Sequence, residues 1–334
     1  MKITRLGIAN LRAIALWKQD LTLLGDIPRQ RIILLGANGA GKTAVLRAIA
    51  RLIQEMSGDD EFGADAILAG EVRQPATQAA IELEFAVDDD TIRKLRPMSG
   101  QVPPRGKVVH YFARSPMASL LPPLGNIAFG VPLYTPSSFG DLVRSSQELP
   151  AVFIPADRGR LEYDENLTLK SLSYPAPKEH CLALGHRRFE TLAARLALAL
   201  SDPKRHDRHG RIARMWKVLA KYVTRFPQPI DVDNLLMFFQ TADGVTVPLP
   251  RLSDGERALL LIMAEVAFRW PENGMILIDE PEQHLHPRWQ REMMDALTSL
   301  LPSAQLIVAT QAAYLAASAP SDVFEIGDWK QDGE

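Results

Sequence analysis

Gly36-Ala37-Asn38-Gly39-Ala40-Gly41-Lys42-Thr43 sets three glycines ahead of a lysine and a threonine. It fits the spacing G-x-x-x-x-G-K-[ST], in which glycines let successive backbone N–H groups turn inward onto phosphate oxygens. Lys42 then supplies a point charge to the β- and γ-phosphates, and the Thr43 hydroxyl is a ligand for Mg²⁺. Ahead of the loop, Arg31 to Leu35 (RIILL) is a short β-rich run. Behind it, Val45, Leu46, Ile49, Ala50, Leu52 and Ile53 recur at helical spacing from Thr43 to Glu55. Strand, glycine loop and helix form the opening unit of an α/β nucleotide-binding fold, and the helix N-terminus adds its dipole to the loop.

Working outward, Ile3, Leu6 and Ile8 and then Leu21 to Leu24 read as strand, turn, strand. Ala80 to Val87 (AIELEFAV) alternates apolar and polar residues, which predicts a half-exposed strand of an antiparallel sheet. Arg96 to Pro150 holds nine of the 24 prolines. Because proline removes a donor and fixes φ, this segment is expected to be a loop-rich insertion without long helices or central strands. Ala151 to Ile154 resumes a buried-strand pattern, and helices are predicted over Phe189–Leu200 and Ile212–Val223. Leu235–Gln240 and Val245–Pro248 flank a hairpin turn at Ala242-Asp243-Gly244. A helix (Glu256–Phe268), a buried strand (Met275–Ile278), a helix (Pro287–Leu301) and strands at Gln305–Ala309 and Val323–Ile326 complete the chain. The expected division is 1–95 (lobe with the phosphate loop), 96–150 (proline-rich insertion), 151–226 (core strand and helical lobe) and 227–334 (second lobe).

Composition narrows the classes. The chain has 334 residues, 46% hydrophobic and 23% charged, the balance of a folded globular protein of about two domains. Lys plus Arg number 38 against 40 Asp plus Glu, a formal net charge of -2, so a globally basic nucleic-acid binder is not indicated. One cysteine, Cys181, excludes a disulfide framework and a multi-cysteine zinc site. The richest apolar stretch, Ala258 to Phe268, is interrupted by Glu265 and is too short to span a membrane. With no secretory pattern at the N-terminus either, the chain reads as cytoplasmic.

Three further segments carry chemistry. Met275-Ile276-Leu277-Ile278-Asp279-Glu280 is an apolar strand ending in two carboxylates. Asp279 suits Mg²⁺, a hard cation, and Glu280 suits a base that orients or deprotonates an attacking water. A solvated Asp-Glu turn explains the pair taken alone; beside a phosphate loop, both halves of one Mg-nucleotide site are present. Leu252-Ser253-Asp254-Gly255-Glu256-Arg257 offers a hydroxyl and backbone N–H groups at a helix start, a second anion-binding device. Ser253 with Glu256 three residues on equally fits a capping box. Lys204, Arg205, Arg208, Arg211, Arg214 and Lys217 cluster around two helices, either as a solvated face or as a contact for nucleic-acid phosphates. His284 and His286 also admit a zinc reading, against which stands the lack of neighbouring cysteine.

The order GANGAGKT, LSDGER, ILIDEPEQHLHP resembles the ABC-type ATPases, and more narrowly the SMC/RecF/OLD-like branch of DNA repair and bacterial defence. MKITRLGIANLRAI, with Asn10 and Arg12, is similar to that branch's N-terminal strand. The resemblance covers 1–90 and 230–334 and implies an ABC-ATPase head: a phosphate-loop core sheet, an antiparallel β subdomain, and a loop-rich and helical insertion. It implies ATP and Mg²⁺ as ligands, with Gly36, Asn38, Gly39, Ala40, Gly41, Lys42 and Thr43 on the nucleotide. Metal ligation would fall to Thr43 and Asp279, and catalysis to Glu280 with Lys42. It further implies a homodimer closing head to tail on two ATP molecules, Ser253 and Gly255 of one subunit meeting the γ-phosphate held by the other. Gln311 stands where the family usually has a switch histidine, so slow hydrolysis is expected, since glutamine cannot carry the positive charge. Phe153-Ile154-Pro155-Ala156-Asp157-Arg158 falls at the family's Q-loop without a glutamine, leaving Arg158 for phosphate contact or an ordinary surface role. The chain end at Glu334 leaves no room for a nuclease domain, so a separate effector, a nuclease or toxin, is expected in an anti-phage module. A RecF-like DNA-binding repair ATPase is the alternative, and a transporter ATPase subunit a more distant one; no long heptad run supports SMC itself.

Overall fold

Arg31–Leu35 forms the expected strand, and its neighbours explain why it is apolar from Ile32 onward. In the computed structural model it lies inside a five-stranded sheet and is covered on both faces, as buried parallel strands require. The structure describes residues 2–24, 27–57, 72–74, 76, 78–86, 105–113, 151–156 and 188–327. Two compact units divide the chain: Met1–Phe153 with Pro271–Asp279 and Ser303–Glu334, and Ile154–Trp270 with Glu280–Pro302.

The first unit begins with β1 (Lys2–Leu11) and β2 (Ile14–Asp20), followed by the small pair β3 (Thr22–Leu23) and β4 (Ile27–Pro28). Then come β5 (Arg31–Leu35), helix α1 (Lys42–Ser57), β6 (Gln78–Ala86), β7 (Arg105–Ala113) and β8 (Ala151–Ile154). The chain returns to this unit for β12 (Met275–Asp279), β13 (Gln305–Thr310), the short α6 (Ala313–Ser318) and β14 (Val323–Glu325). The core sheet has the order β14-β5-β13-β12-β8, and β14, β5, β13 and β12 run parallel. An antiparallel sheet has the order β2-β1-β6-β7.

Two sequence expectations change here. Residues 105–113 form a nine-residue strand within the segment expected to be loops, because Pro103, Pro104 and Pro116 bracket it and leave its interior proline-free. As the last strand of its sheet, β7 has one ladder to satisfy rather than two. The strand β6, expected to be half exposed, is buried from Ala79 to Leu83 and at Phe85. Its alternating polar position is Glu82, only 1% exposed, with the Lys18 ammonium 3.6 Å from its carboxylate.

A buried glutamine joins the two sheets of this unit. Gln305 accepts a hydrogen bond from Ile3 N–H (2.7 Å) and donates from its amide nitrogen to the carbonyls of Ile3 (2.9 Å) and Arg29 (2.8 Å). Its contact with Ile3 coincides with a register shift in β1 between Ile3 and Arg5 against β6. The extra residue there, Thr4, turns its carbonyl to Leu21 N–H (2.8 Å).

The second unit contains α2 (Arg188–Ser201), α3 (Arg211–Tyr222), the meander β9 (Gln228–Asp233), β10 (Leu236–Gln240) and β11 (Thr246–Pro248), then α4 (Asp254–Arg269) and α5 (Pro287–Leu300). The predicted hairpin holds: β10 and β11 are antiparallel, with Phe239 opposite Val247. Helix α4 is buried from Ala258 to Ala267, which explains a sequence apolar nearly all round. The interruption that argued against a membrane span, Glu265, is 1% exposed and pairs with Arg269 at 2.8 Å one turn on. Removing one partner of a buried ion pair costs about 3–5 kcal/mol.

Candidate nucleotide site

The glycine loop leaves β5 and enters α1 as the sequence requires. Gly39 (φ 81°) and Gly41 (φ 100°) sit in the left-handed region, where a side chain is strained. A Cβ at Gly36 would lie 2.5 Å from the carbonyl oxygen of Ile326, so only glycine fits between β5 and the segment after β14. Lys42 is 4% exposed, and its ammonium donates to the carbonyls of Gly36 (2.8 Å) and Ala37 (2.9 Å). The loop is thus folded around the lysine head group, while Thr43, half-buried, follows in the first turn of a sixteen-residue helix. Asn38 is exposed and Ala40 half-buried, with Ala40 N–H bonded to the Ala37 carbonyl (3.2 Å). Beneath the loop, a Cβ on Gly41 would touch Ile14 Cδ1 (3.2 Å) and Arg12 Cβ (3.7 Å). The turn between β1 and β2 therefore packs on the loop, a neighbourhood that spacing within the loop could not reveal.

Strand register brings the carboxylate to the same edge. Asp279 pairs with Ala309, and Ala309 with Leu34, so Asp279 lies level with a residue two positions before Gly36, at the same edge as the ends of β13 and β5. Two strand spacings separate β12 from β5, placing Asp279 about 10 Å along the edge from the loop. Open α/β sheets bind ligands at this carboxyl edge. Asp279 is 1% exposed, and the next strand end is the buried Thr310, whose carbonyl accepts from Gly36 N–H (3.3 Å). Gln311, exposed, follows Thr310 directly and so stands beside the loop entrance.

The donor set fits magnesium: a threonine hydroxyl at a helix N-terminus and a buried carboxylate at a strand end are oxygen ligands for a hard cation. The curled loop, with its ammonium already enclosed, fits a phosphate chain.

In the second unit, Ser253 is the N-cap of α4 and makes both halves of a capping box. Its hydroxyl accepts from Glu256 N–H (3.3 Å), and the Glu256 carboxylate takes the Ser253 N–H (2.7 Å) and hydroxyl (2.8 Å). Gly255 has its own steric reason, since a Cβ there would lie 2.6 Å from the His284 carbonyl oxygen. The start of α4 thus presses on the turn after β12. That turn begins at Glu280 (φ 45°), half-buried, whose carboxylate accepts from the Gln283 side-chain amide. Gln283 N–H also bonds the Glu280 carbonyl (3.2 Å). His286 caps α5, its Nδ1 accepting from Arg288 N–H (3.2 Å), with Pro287 at the first helical position. The histidines therefore have a capping and turn role, and no cluster of three or more metal-ligating side chains occurs among the described residues.

Next to the cap, Glu292 accepts from Thr224 N–H (2.8 Å), the Thr224 hydroxyl (2.8 Å) and Arg288 Nε (2.7 Å). Burial works to raise its pKa, but these three donors and the Arg288 charge outweigh it and hold the carboxyl below its ordinary value. Trp289 Nε1 donates to the Thr224 carbonyl (3.0 Å), closing the latch. An open cleft of about 710 Å³ runs past Ser253, Gly255, His284, His286 and Arg288.

Residues 152–317 match the family described as "AAA domain, putative AbiEii toxin, Type IV TA system". Among solved structures, the fold is similar to the SMC head bound to the C-terminal winged-helix domain of ScpA (TM-score 0.53, 15% identity, 95% of this chain and 91% of that one). The SMC head with an extended coiled coil from Pyrococcus furiosus compares equally (TM-score 0.52, 15% identity, 98% and 94%). The chain has the fold of an SMC-type ATPase head. Curated relatives include "Retron Vc95 probable ATPase" of Vibrio cholerae serotype O1 biovar El Tor, 27% identical over 131 residues. That match spans 34% of this chain and 26% of the relative. "Septu protein PtuA" of Bacillus thuringiensis is 40% identical over 109 residues, 28% of this chain and 27% of that protein. The chain thus spans about a quarter of the length of these relatives.

Within this ATPase head, Arg158 and Cys181 lie outside the described residues. The basic cluster is on the surface: Lys204, Arg205, Arg208, Arg214 and Lys217 are exposed. Arg211 and Arg214 sit 5.3 and 5.6 Å from the Trp270 ring centre, at the end of α4. The nearby Asp202 and Asp207 carboxylates are engaged with backbone N–H groups of Arg205, Ile212 and Ala213. No described helix is long and apolar enough to cross a membrane.

Proposed function

We propose that the chain binds and slowly hydrolyses Mg-ATP, dimerises on it, and works as a nucleotide-dependent switch for a separate effector in anti-phage defence. The observation that carries this is the alignment of the glycine loop, with Lys42 enclosed, and Asp279 along one carboxyl edge of a parallel sheet. Gly36, Asn38, Gly39, Ala40 and Gly41 surround the phosphates, Lys42 leaves its loop carbonyls for the β- and γ-phosphates, and Thr43 and Asp279 hold Mg²⁺. Bound there, the cation supplies charge neutralisation on the phosphate oxygens. Glu280 takes the proton of the attacking water as its oxygen bonds to the γ-phosphorus and the bond to the β-phosphate oxygen breaks. Gln311 can hydrogen-bond the γ-phosphate but brings no positive charge, which favours slow turnover.

Head-to-tail pairing would place Ser253 and Gly255, at the N-terminus of α4, on the γ-phosphate held by a second copy, with Arg158 a further phosphate contact. Likeness to the retron and Septu proteins supports the defence context; the separate effector, a nuclease or toxin, is part of the same proposal. The test is the solution mass of Glu280→Gln, which should keep ATP but not hydrolyse it. A monomer that becomes a dimer only with Mg-ATP supports the switch. A monomer under both conditions overturns autonomous dimerisation, and failure of Lys42→Ala to weaken ATP binding overturns the site.

A second reading rests on the basic surface. Among the described residues, Lys204, Arg205, Arg208 and Lys217 face solvent with no ion-pair partner, which suits nucleic-acid phosphates and a RecF-like DNA role. Duplex binding that weakens with salt, and a salt slope that falls by about 0.9 for each cation replaced by alanine, would favour it. Salt-independent or undetectable binding would remove it.

A further inference from the structure

We propose that Gln283 is a positioning residue for Glu280, holding the carboxylate that serves as base; the inference rests on the hydrolytic reading above. Three observations meet at this turn. Glu280 has a left-handed backbone (φ 45°), a conformation that costs a non-glycine residue about 1–2 kcal/mol and is retained where surroundings enforce it. Gln283 supplies that enforcement twice, through its backbone N–H on the Glu280 carbonyl and through its side-chain amide on the Glu280 carboxylate. The third is Gly255, whose bare Cα admits the His284 carbonyl and lets the turn seat against α4.

The chemistry of the donor matters. A lysine or arginine at 283 would form an ion pair and lower the basicity of the carboxylate. A neutral amide instead engages one carboxylate oxygen and fixes the plane of the group. Restricting a long side chain to one rotamer before the reaction is the usual source of gain from such a contact. Gln283 itself need not touch nucleotide or water.

The experiment compares steady-state ATP hydrolysis of the full chain with that of Gln283→Met and Gln283→Glu, and of each change in a Glu280→Gln background. Gln283→Met keeps length and removes the donor, while Gln283→Glu places a like charge against the base. The first should lower kcat about tenfold with KM for ATP within twofold, the second should lower it further, and neither should move the thermal midpoint by more than a degree or two. In the Glu280→Gln background, Gln283→Met should change the residual rate by less than twofold, because the group it positions is gone. Wild-type rates in both Gln283 variants, with Glu280→Gln inactive, overturn the positioning role while sparing the hydrolytic reading. Equal losses with and without Glu280 also overturn it, since they mark a general structural effect. Absence of hydrolysis by the wild-type chain, or full activity of Glu280→Gln, overturns both.

Discussion

Replacing Gln305 by leucine should destabilise the first unit far more than its conservative volume change suggests. The side chain is fully buried, and its amide makes three hydrogen bonds, two to Ile3 and one to Arg29, all to main-chain groups. Leucine fills nearly the same space but leaves Ile3 N–H and C=O facing an apolar group. A buried main-chain group left unsatisfied costs about 1–3 kcal/mol, so the Ile3 pair alone amounts to about 2–6 kcal/mol. Arg29 C=O is nearer the surface and adds less, because water can replace the lost donor. About 4 kcal/mol is a large share of the roughly 5–15 kcal/mol that holds a typical domain folded, and corresponds to a fall in thermal midpoint of about 10 °C. Urea and thermal unfolding followed by circular dichroism measure it, with Gln290→Leu as the control. Gln290 is also buried but donates one bond, to the Leu285 carbonyl (3.1 Å), and its Oε1 has no partner among the described residues. The control should therefore cost clearly less than Gln305→Leu. If the two substitutions cost the same, or Gln305→Leu lies within 1 kcal/mol of wild type, the bridging argument is wrong.

Further outcomes are expected. Gly255→Ala drives a methyl into the His284 carbonyl 2.6 Å away and should lower the stability of the second unit by about 2 kcal/mol; an unchanged midpoint would refute the close approach. Glu292 is held ionised in the folded chain, so its contribution is present above its unfolded pKa, near the ordinary 4.5, and is lost as pH falls through the depressed folded value. The stability gap between wild type and Glu292→Gln should accordingly stay level from about pH 7 to about pH 5 and narrow as pH falls further, and a gap that widens on acidification contradicts the assignment. Gln311→His restores a side chain that can carry positive charge and should raise ATP turnover; equal or lower turnover counts against Gln311 as the cause of slow hydrolysis.

The parts of this chain that repeat a local rule were open to reading in one dimension. Gly36 to Thr43 encodes its loop because φ values near 80° and 100° demand glycine at particular places, and a helix must start where the apolar spacing turns to 3.6. The runs Ile32–Leu35, Met275–Ile278 and Leu306–Ala309 are apolar without alternation because strands covered on both faces have no wet side. Ser253 and Glu256 encode their cap within four residues. The same residues fit both a cap and an anion site, and spacing alone does not separate the two; the side chains make the cap.

What depended on tertiary structure is what joins distant residues. No spacing links Gln305 to Ile3, 302 positions away, or reveals that β6 carries a buried Glu82 against Lys18. Gly255 looked like part of an anion-binding segment, and only its approach to His284 supplies a steric reason for the missing side chain. Gln283 carried no sequence signal, because its partner is chosen by the left-handed turn at Glu280 and not by a motif. Local geometry is written in neighbouring residues because backbone sterics act over a few bonds. The alignment of Asp279 with the glycine loop depends on hydrogen-bond register across three strands, and that exists only once the sheet has formed.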